Sequence, residues 1–166
     1  NVVFLSIFIL MLSMYYSNGN NLINSLNTGQ ILSGLDLGDK TIGVAISDRN
    51  FIIGSPLKTI LRKGGIKDII SLKAVFDEYN VGAVVIGLPL SLDGNENKRT
   101  KKTRDFGEKL LENLSINICF HDERYSTDVI LKQMRKESIS RKIIKKNIDK
   151  SAASYILQGF LDKYNK

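Results

Sequence analysis

Three carboxylates stand at positions where a carboxylate needs a reason. Asp36 lies within a short apolar run, Ile31 to Leu37, between Leu35 and Leu37. A charge there is costly unless it is paired, hydrogen-bonded or metal-bound. Asp149 opens a helical stripe of Ala152, Ala153, Ile156, Leu157, Phe160 and Leu161, a spacing that sets it on the core-facing side of its own helix. Glu123 closes an alternating run that starts at Ile116. The carboxyl ends of parallel strands are where ligands bind in sheets of this kind. Each carboxylate also has a plainer reading. Asp36 can cap the turn after its strand, Asp149 can be a helix N-cap with Ile148 and Ala153 as its staple pair, and Glu123 can pair with Arg124. If the three meet, their oxygens suit a hard divalent cation, Mg²⁺ or Mn²⁺. Two such ions would activate water and stabilise the leaving oxygen in phosphodiester hydrolysis.

Other chemistries are poorly supplied. One cysteine, Cys119, excludes a disulfide framework within the chain. With a single histidine, His121, a structural zinc site lacks ligands, and any Ser-His-Asp or Cys-His mechanism would rest on that one ring. His121 reads as a satisfied structural histidine and Cys119 as a small buried hydrophobe. The phenylalanines and tyrosines fall mostly within apolar stripes, with no surface aromatic row of the kind that stacks bases.

The formal charge is +7, which favours an anionic partner, although an Asn-, Ile- and Lys-rich composition supplies lysines without any function. The cations cluster. Lys98, Arg99, Lys101, Lys102 and Arg104 form one run, and Lys132 to Lys150, including Lys145 and Lys146, forms another. Together with Lys40 and Arg124 they suit salt-dependent, sequence-blind contact with a phosphate backbone, or else a solvated helix face.

The elements that must position these residues follow from periodicity. Ile31–Leu37, Thr41–Ser47 and Phe51–Leu61 are β-rich runs separated by short turn signals, as in an antiparallel meander. Ile66–Tyr79 predicts a helix with Ile66, Ile69, Ile70, Ala74 and Phe76 to Tyr79 on a rough stripe. Val81–Leu88 is continuously apolar, as a buried central strand would be. Lys98–Leu114 predicts a helix, Ile116–Glu123 a strand, and a helix capped by Ser126 runs to about Glu137. A last helix runs from near Asn147 to Tyr164. Strands joined through helices imply parallel pairing beside the meander. The expected fold class is therefore α/β, a mixed five-stranded sheet of three antiparallel plus two parallel strands with helices on both faces. The domain is expected over residues 31–166, enough chain for one real core.

Residues 1–30 look different. Val2 to Tyr16 is nearly all apolar yet shorter than a membrane-spanning helix, and Ser17 to Gln30 is a polar Asn/Ser/Gly stretch. The expectation is an artefactual upstream extension outside the fold, with the true start at Met11, Met14 or later; a targeting or anchoring segment and an unrecognised structural role are the alternatives.

Four pieces in order resemble the YqgF family, RNase H-like proteins described as pre-16S rRNA nucleases or as Holliday-junction-resolvase-like. These are Gly34–Gly38 followed by Ile42–Asp48; Val85–Leu90 with Asp93-Gly94; Asp122-Glu123-Arg124; and Ile148–Ala153 running into Ile156–Gln158. The resemblance covers about Leu35 to Tyr164. It implies an RNase H-like three-layer fold, Asp36, Glu123 and Asp149 as catalytic metal-binding carboxylates, and processing of the 5′ end of pre-16S rRNA in the cytoplasm. Thr41, where the family often has Arg, and Tyr125-Ser126, in place of Leu-Thr, depart from its pattern and bear on substrate contacts only. Structured RNA is the expected partner and branched DNA the alternative, with no membrane. Two readings of other classes compete. One is an actin-like ATPase, which this length does not accommodate; the other is a non-catalytic ribosome-assembly factor whose cations matter and whose carboxylates do not.

Overall fold

The protein is described from a computed structural model, which covers residues 14–91, 93–122 and 141–164, with side chains in the last segment from Ala152 onward. Its elements in chain order are α1 (Gly19–Asn24), β1 (Ile31–Leu37), β2 (Thr41–Ser47), β3 (Gly54–Leu61), α2 (Ile66–Tyr79), β4 (Val81–Leu88), α3 (Lys98–Leu114), β5 (Asn117–Asp122) and α4 (Arg141–Tyr164). The sheet order is β3-β2-β1-β4-β5. β1, β2 and β3 pair antiparallel, while β4 is parallel to both β1 and β5. This is the RNase H-like arrangement expected from the sequence. The helix expected over Ser126 to Glu137 lies outside the described residues.

Strand alternation sends side chains to two cores. On one face Leu35, Ile42, Val44 and Ile86 pack against Ile69 and Leu72 of α2 and Phe106 and Leu110 of α3. On the other Leu32, Ala45, Val85 and Cys119 pack against Ile156, Leu157 and Phe160 of α4. Covered on both sides, β1 and β4 are apolar in nearly every position.

Local chemistry sets the element ends. Asn97 caps α3 by accepting from the Thr100 N–H, while the Thr100 hydroxyl accepts from the Asn97 N–H at 3.1 Å. Asp48 builds the β2–β3 turn by accepting the amides of Ile52 at 2.6 Å, Ile53 at 2.8 Å and Asn50 at 3.2 Å. Asp68 does the same ahead of α2, accepting from the Lys63 and Gly64 amides at 2.7 and 3.0 Å and from Arg62 Nε at 3.1 Å. Arg62 in turn donates to the Gly38 carbonyl at 2.8 Å and lies over the Phe106 ring, joining the β1–β2 hairpin to both helices on that face.

Three sequence expectations are corrected. On α2 the buried stripe is Asp68, Ile69, Leu72, Val75 and Phe76, whereas Ile66 and Ile70 are exposed; with Asp68 drawn inward by Arg62 and the loop amides, those two isoleucines turn to solvent. α4 begins at Arg141 rather than near Asn147, so Asp149 lies inside the helix and is not its N-cap. Its first turns are lysine-rich, but Ile144 and Ile148 continue the stripe of Ala152, Ile156 and Phe160 backwards at a spacing of four. Residues 14–30, set apart on their composition, pack on the domain. Leu22 of α1 is fully buried in the α4-side core, and Ile23 and Leu26 pack against it. Residues 14–16 run parallel to the outer edge of β5, with the Tyr16 N–H donating to the Ile118 carbonyl at 2.8 Å and Ile118 to Met14 at 3.1 Å. The apolar residues of this segment sit at helical spacing among asparagines and serines that read as linker. Among the described residues no helix is long and apolar enough to cross a membrane.

Two outcomes test this frame. Leu22→Ala should lower unfolding stability by about 2–4 kcal/mol in urea titration, because it empties a fully buried site; a surface-like loss would return the segment to the status of an appendage. The Asp68 carboxyl is pushed up by burial, but the Lys63 amide, the Arg62 guanidinium and the Gly64 amide outweigh that and hold it below the usual carboxylate range. A lowered folded value contributes stability above the unfolded value of 3.8 and loses it as pH falls through the folded one. Asp68→Asn should therefore cost about 2–3 kcal/mol near neutral pH, less than a fully buried pair because Arg62 is a quarter exposed. The gap between wild type and variant should close below about pH 4.

Candidate functional site

Asp36 is half-buried at the carboxyl end of the central strand β1. By alternation it shares the face of Leu32 and Gly34, the face that α4 covers. Its sheet neighbours on that face are glycines. Gly43 is its partner on β2. On β4 the parallel register that pairs Leu35 with Ile86 leads on to Gly87, itself paired with His121 of β5. The row across the sheet is thus Gly43, Asp36, Gly87, His121. The two positions beside the carboxylate in this row are buried glycines and carry no side chain.

α4 reaches the sheet closely beside this row. A methyl group placed on Gly34 would lie 2.7 Å from Leu157 Cβ and 2.9 Å from the Ala153 carbonyl oxygen, closer than real packing permits. Asp149 precedes Ala153 by one helical turn, roughly 6 Å of rise. Asp36 follows Gly34 by two strand residues, roughly 7 Å. One contact point therefore anchors the elements that carry both carboxylates. Asp149 is placed on α4 by its backbone alone. Glu123 lies outside the described residues; the last described residue of β5 is its neighbour Asp122, paired with Leu88. Among the described residues, to which Glu123 and the Asp149 side chain do not belong, no three His, Cys, Asp or Glu side chains cluster.

The donor type fits a hard divalent cation: Asp36 supplies carboxylate oxygens in a row with two glycines, with no thiolate or imidazole in that row except His121. His121 is half-buried, its ring edge-on to Phe160 and its Nε2 near Gly159. Burial, and then the Lys163 ammonium, hold its proton affinity below the ordinary histidine value, against the pull of Asp122. Cys119 is buried, and that burial pushes its thiol up to about 11. Both sit as the sequence suggests, packed into the core on the α4 side.

Most of the nucleic-acid-contact candidates that are described lie at the same end of the sheet. Lys40 is exposed in the hairpin that follows β1. Lys98, Arg99, Lys101 and Lys102 are exposed on the first turns of α3, the helix that follows β4. Lys102 stands 3.7 Å from Asp39 in an exposed pair that adds little stability. Arg104, by contrast, is held by Glu96 at 2.6 Å. Between β4 and α3 the loop is tied inward: the Pro89 carbonyl accepts from the Thr100 hydroxyl at 2.6 Å and from Asn97 Nδ2 at 3.1 Å. Arg124 lies outside the described residues, and Lys145 and Lys146 are placed on α4 by backbone only. Sequence reasoning missed the aromatic pair of Tyr15 and Phe120, stacked at 5.4 Å between centroids. Phe120 alternates inward in the sequence, and nothing there signals that Tyr15 returns to meet it.

Comparison with known proteins follows the same geometry. A family model described as RuvX, Holliday junction resolvase, matches residues 30–163. Relatives carrying the name "Putative pre-16S rRNA nuclease" include one from Ehrlichia chaffeensis, 40% identical over 90% of this chain and 96% of its own length. One from Mesorhizobium japonicum is 43% identical over 83% of each chain. Among solved structures, a T. thermophilus RuvC in complex with a Holliday junction substrate superposes with a TM-score of 0.50 at 11% identity, covering 82% of this chain and 97% of that one. A Fowlpox virus resolvase, in complex with Holliday junction DNA, gives 0.51 at 13% identity, covering 82% of this chain and all of that one. At these identities the two structures speak for the fold.

Gly34→Ala should lower stability by about 1–3 kcal/mol, since the added methyl must push α4 off the sheet. Urea titration checks it. A neutral effect would mean that the helix contact is loose enough to reposition.

Proposed function

The chain belongs to the RuvX family of Holliday junction resolvases, and from that premise we propose that it is a metal-dependent endonuclease whose Asp36, Glu123 and Asp149 form one catalytic site. The observation that carries the reading is the placement of Asp36: a carboxylate at the end of the central strand, flanked by glycines, beneath the helix that bears Asp149. Glu123, which directly follows the described end of β5, would come from the strand two places away. These three side chains would hold Mg²⁺ or Mn²⁺, which when bound supplies an activated water and charge neutralisation for phosphodiester hydrolysis. The fold's part is to hold Asp36 fixed on a strand paired on both sides, where the carboxylate is positioned before substrate arrives. The rim of Lys40, Lys98, Arg99, Lys101 and Lys102 would take the phosphate backbone, with Arg124, Lys145 and Lys146 extending it.

The favoured substrate is structured RNA, the 5′ end of pre-16S rRNA during ribosome biogenesis, in keeping with the name of relatives at about 40% identity. Such work belongs in the cytoplasm. A four-way DNA junction is the second reading, favoured by the description of the family model.

Both substrates, beside a linear duplex, are to be incubated with the purified protein in Mg²⁺, Mn²⁺ or EDTA. Metal-dependent cutting of one of them is expected, with a loss of at least about a hundredfold in Asp36→Asn, Glu123→Gln and Asp149→Asn. Binding without cutting, unchanged across these variants, would sink the carboxylate mechanism and favour a non-catalytic assembly role.

A further inference from the structure

A second concave site lies on the outer side of β5, away from Asp36. It is a cavity of about 420 Å³ lined by Tyr15, Tyr16, Ser17, Arg104, Glu108 and Phe120. Its floor is the stacked pair of Tyr15 and Phe120, whose rings lie within 18° of parallel. The Arg104 guanidinium sits 5.1 Å from the Phe120 centroid and is held there by Glu96. Gly107 lets the pair approach α3: a methyl group at that position would meet the Phe120 ring at 2.7 Å. Tyr15 is 39% exposed although stacked on one side, so part of its ring faces the cavity. Glu108 is exposed on the same wall and offers an acceptor to amino or imino edges.

We infer that this cavity takes one unpaired nucleobase from a single-stranded flank of the substrate, stacked on Tyr15 beside the Arg104 guanidinium. Aromatic faces next to an arginine bind bases of any sequence, because every base has a π-face. Position supports the assignment. Phe120 stands two strand residues, roughly 7 Å, before the end of β5 at Asp122. Lys101 lies one helical turn before Arg104 and leads toward the basic start of α3, so a backbone crossing that rim can deliver its flank here. The Tyr15 hydroxyl is pushed up to about 12 by burial and then by Glu108 and Glu112, against Arg104, and so remains a neutral donor. Tyr15 also precedes residues 30–163, the span matched by the family, so half of this stack comes from outside that span.

The inference rests on the nucleic-acid reading above, and it predicts a preference for substrates with an unpaired extension over fully paired ones. The test uses the full chain in EDTA, so that binding is read without cutting. An RNA duplex with a 5′ single-stranded extension carrying 2-aminopurine is compared with the same duplex lacking the extension. The extension should tighten binding about tenfold and the 2-aminopurine fluorescence should be quenched. Tyr15→Ala should lose both effects and Tyr15→Phe should keep both. In the unsubstituted protein, a photoreactive uridine in the extension should crosslink to Tyr15 or Phe120, a readout that needs no variant to fold. An extension without effect, wild-type quenching in Tyr15→Ala, or crosslinks only elsewhere would each overturn the pocket while duplex binding and metal-dependent cutting stood. Extension binding without any cutting in Mg²⁺ would support the pocket and count against catalysis alone. Absence of all nucleic-acid binding would overturn both.

Discussion

The approach of α4 to the sheet, backbone against backbone at Gly34 and Gly54, is the contact on which the site depends. A methyl group on Gly54 would sit 3.1 Å from the Gln158 amide nitrogen, and the clash is tighter still at Gly34. Such spacing needs small residues from both partners, and α4 supplies Ala152 and Ala153 at its near face. The Gln158 side chain then locks the helix laterally, accepting from the Gly54 N–H at 2.8 Å and donating to the Ile52 carbonyl at 2.9 Å. Those backbone groups belong to the turn that Asp48 holds. The position of a helix bearing Asp149 is thereby set by the β2–β3 turn and by a glycine in the same strand as Asp36. The pairing of Asp36 with Asp149 proposed above would be only as well placed as that packing allows.

The two faces of the sheet divide the work. On the α2 and α3 face, Arg62 gathers the Gly38 carbonyl, the Asp68 carboxylate and the Phe106 ring at the turn that directly follows Asp36 and Leu37. That network stiffens the strand end without entering the row of the site. On the α4 face the row is Gly43, Asp36, Gly87 and His121. The cations gather beyond the strand ends on the Lys40 hairpin and at the start of α3. The field of such a cluster reaches about a Debye length, whereas a carboxylate ligand acts only at contact. In the nuclease proposed above, that difference would separate attraction from chemistry and let one end of the sheet hold an anionic substrate beside Asp36.

Legibility in the sequence followed the strength of each local signal. α2, β4 and α3 were readable to their end residues, although the buried stripe of α2 was not. Asp36 was readable as a charge in an apolar strand, and its face followed from a period of two. Residues 14–30 were not, since four buried or half-buried apolar residues, Tyr16, Leu22, Ile23 and Leu26, are diluted by Asn, Ser and Gly. Their burial depends on α4, more than a hundred residues away in sequence. The start of α4 was masked by its lysines, although Ile144 and Ile148 extend the apolar spacing of Ala152, Ile156 and Phe160 towards Arg141. Only tertiary contact could show that Asp68, a surface-type residue in an apolar stripe, turns inward. Glu123 and the side chain of Asp149 rest on the sequence alone.

Three aspartates show why residue type and spacing cannot by themselves identify a functional carboxylate. Asp48 is part of a family-like motif, yet it accepts three backbone amides and organises a turn; the Ile53 amide, ahead of the others, holds its carboxyl below the usual range against the effect of burial. Asp68 is the more deeply buried, but its acceptors are taken by two loop amides and Arg62. Both commit their oxygens to the chain's own backbone, which fixes geometry and leaves little capacity for a ligand. Asp36 stands in a different setting: its neighbours across the sheet on the α4 face are Gly43 and Gly87, so the adjoining strands bring no side chain of their own to its row. If Asp36 is the metal ligand proposed above, those two glycines would keep its own row clear of a competing strand side chain.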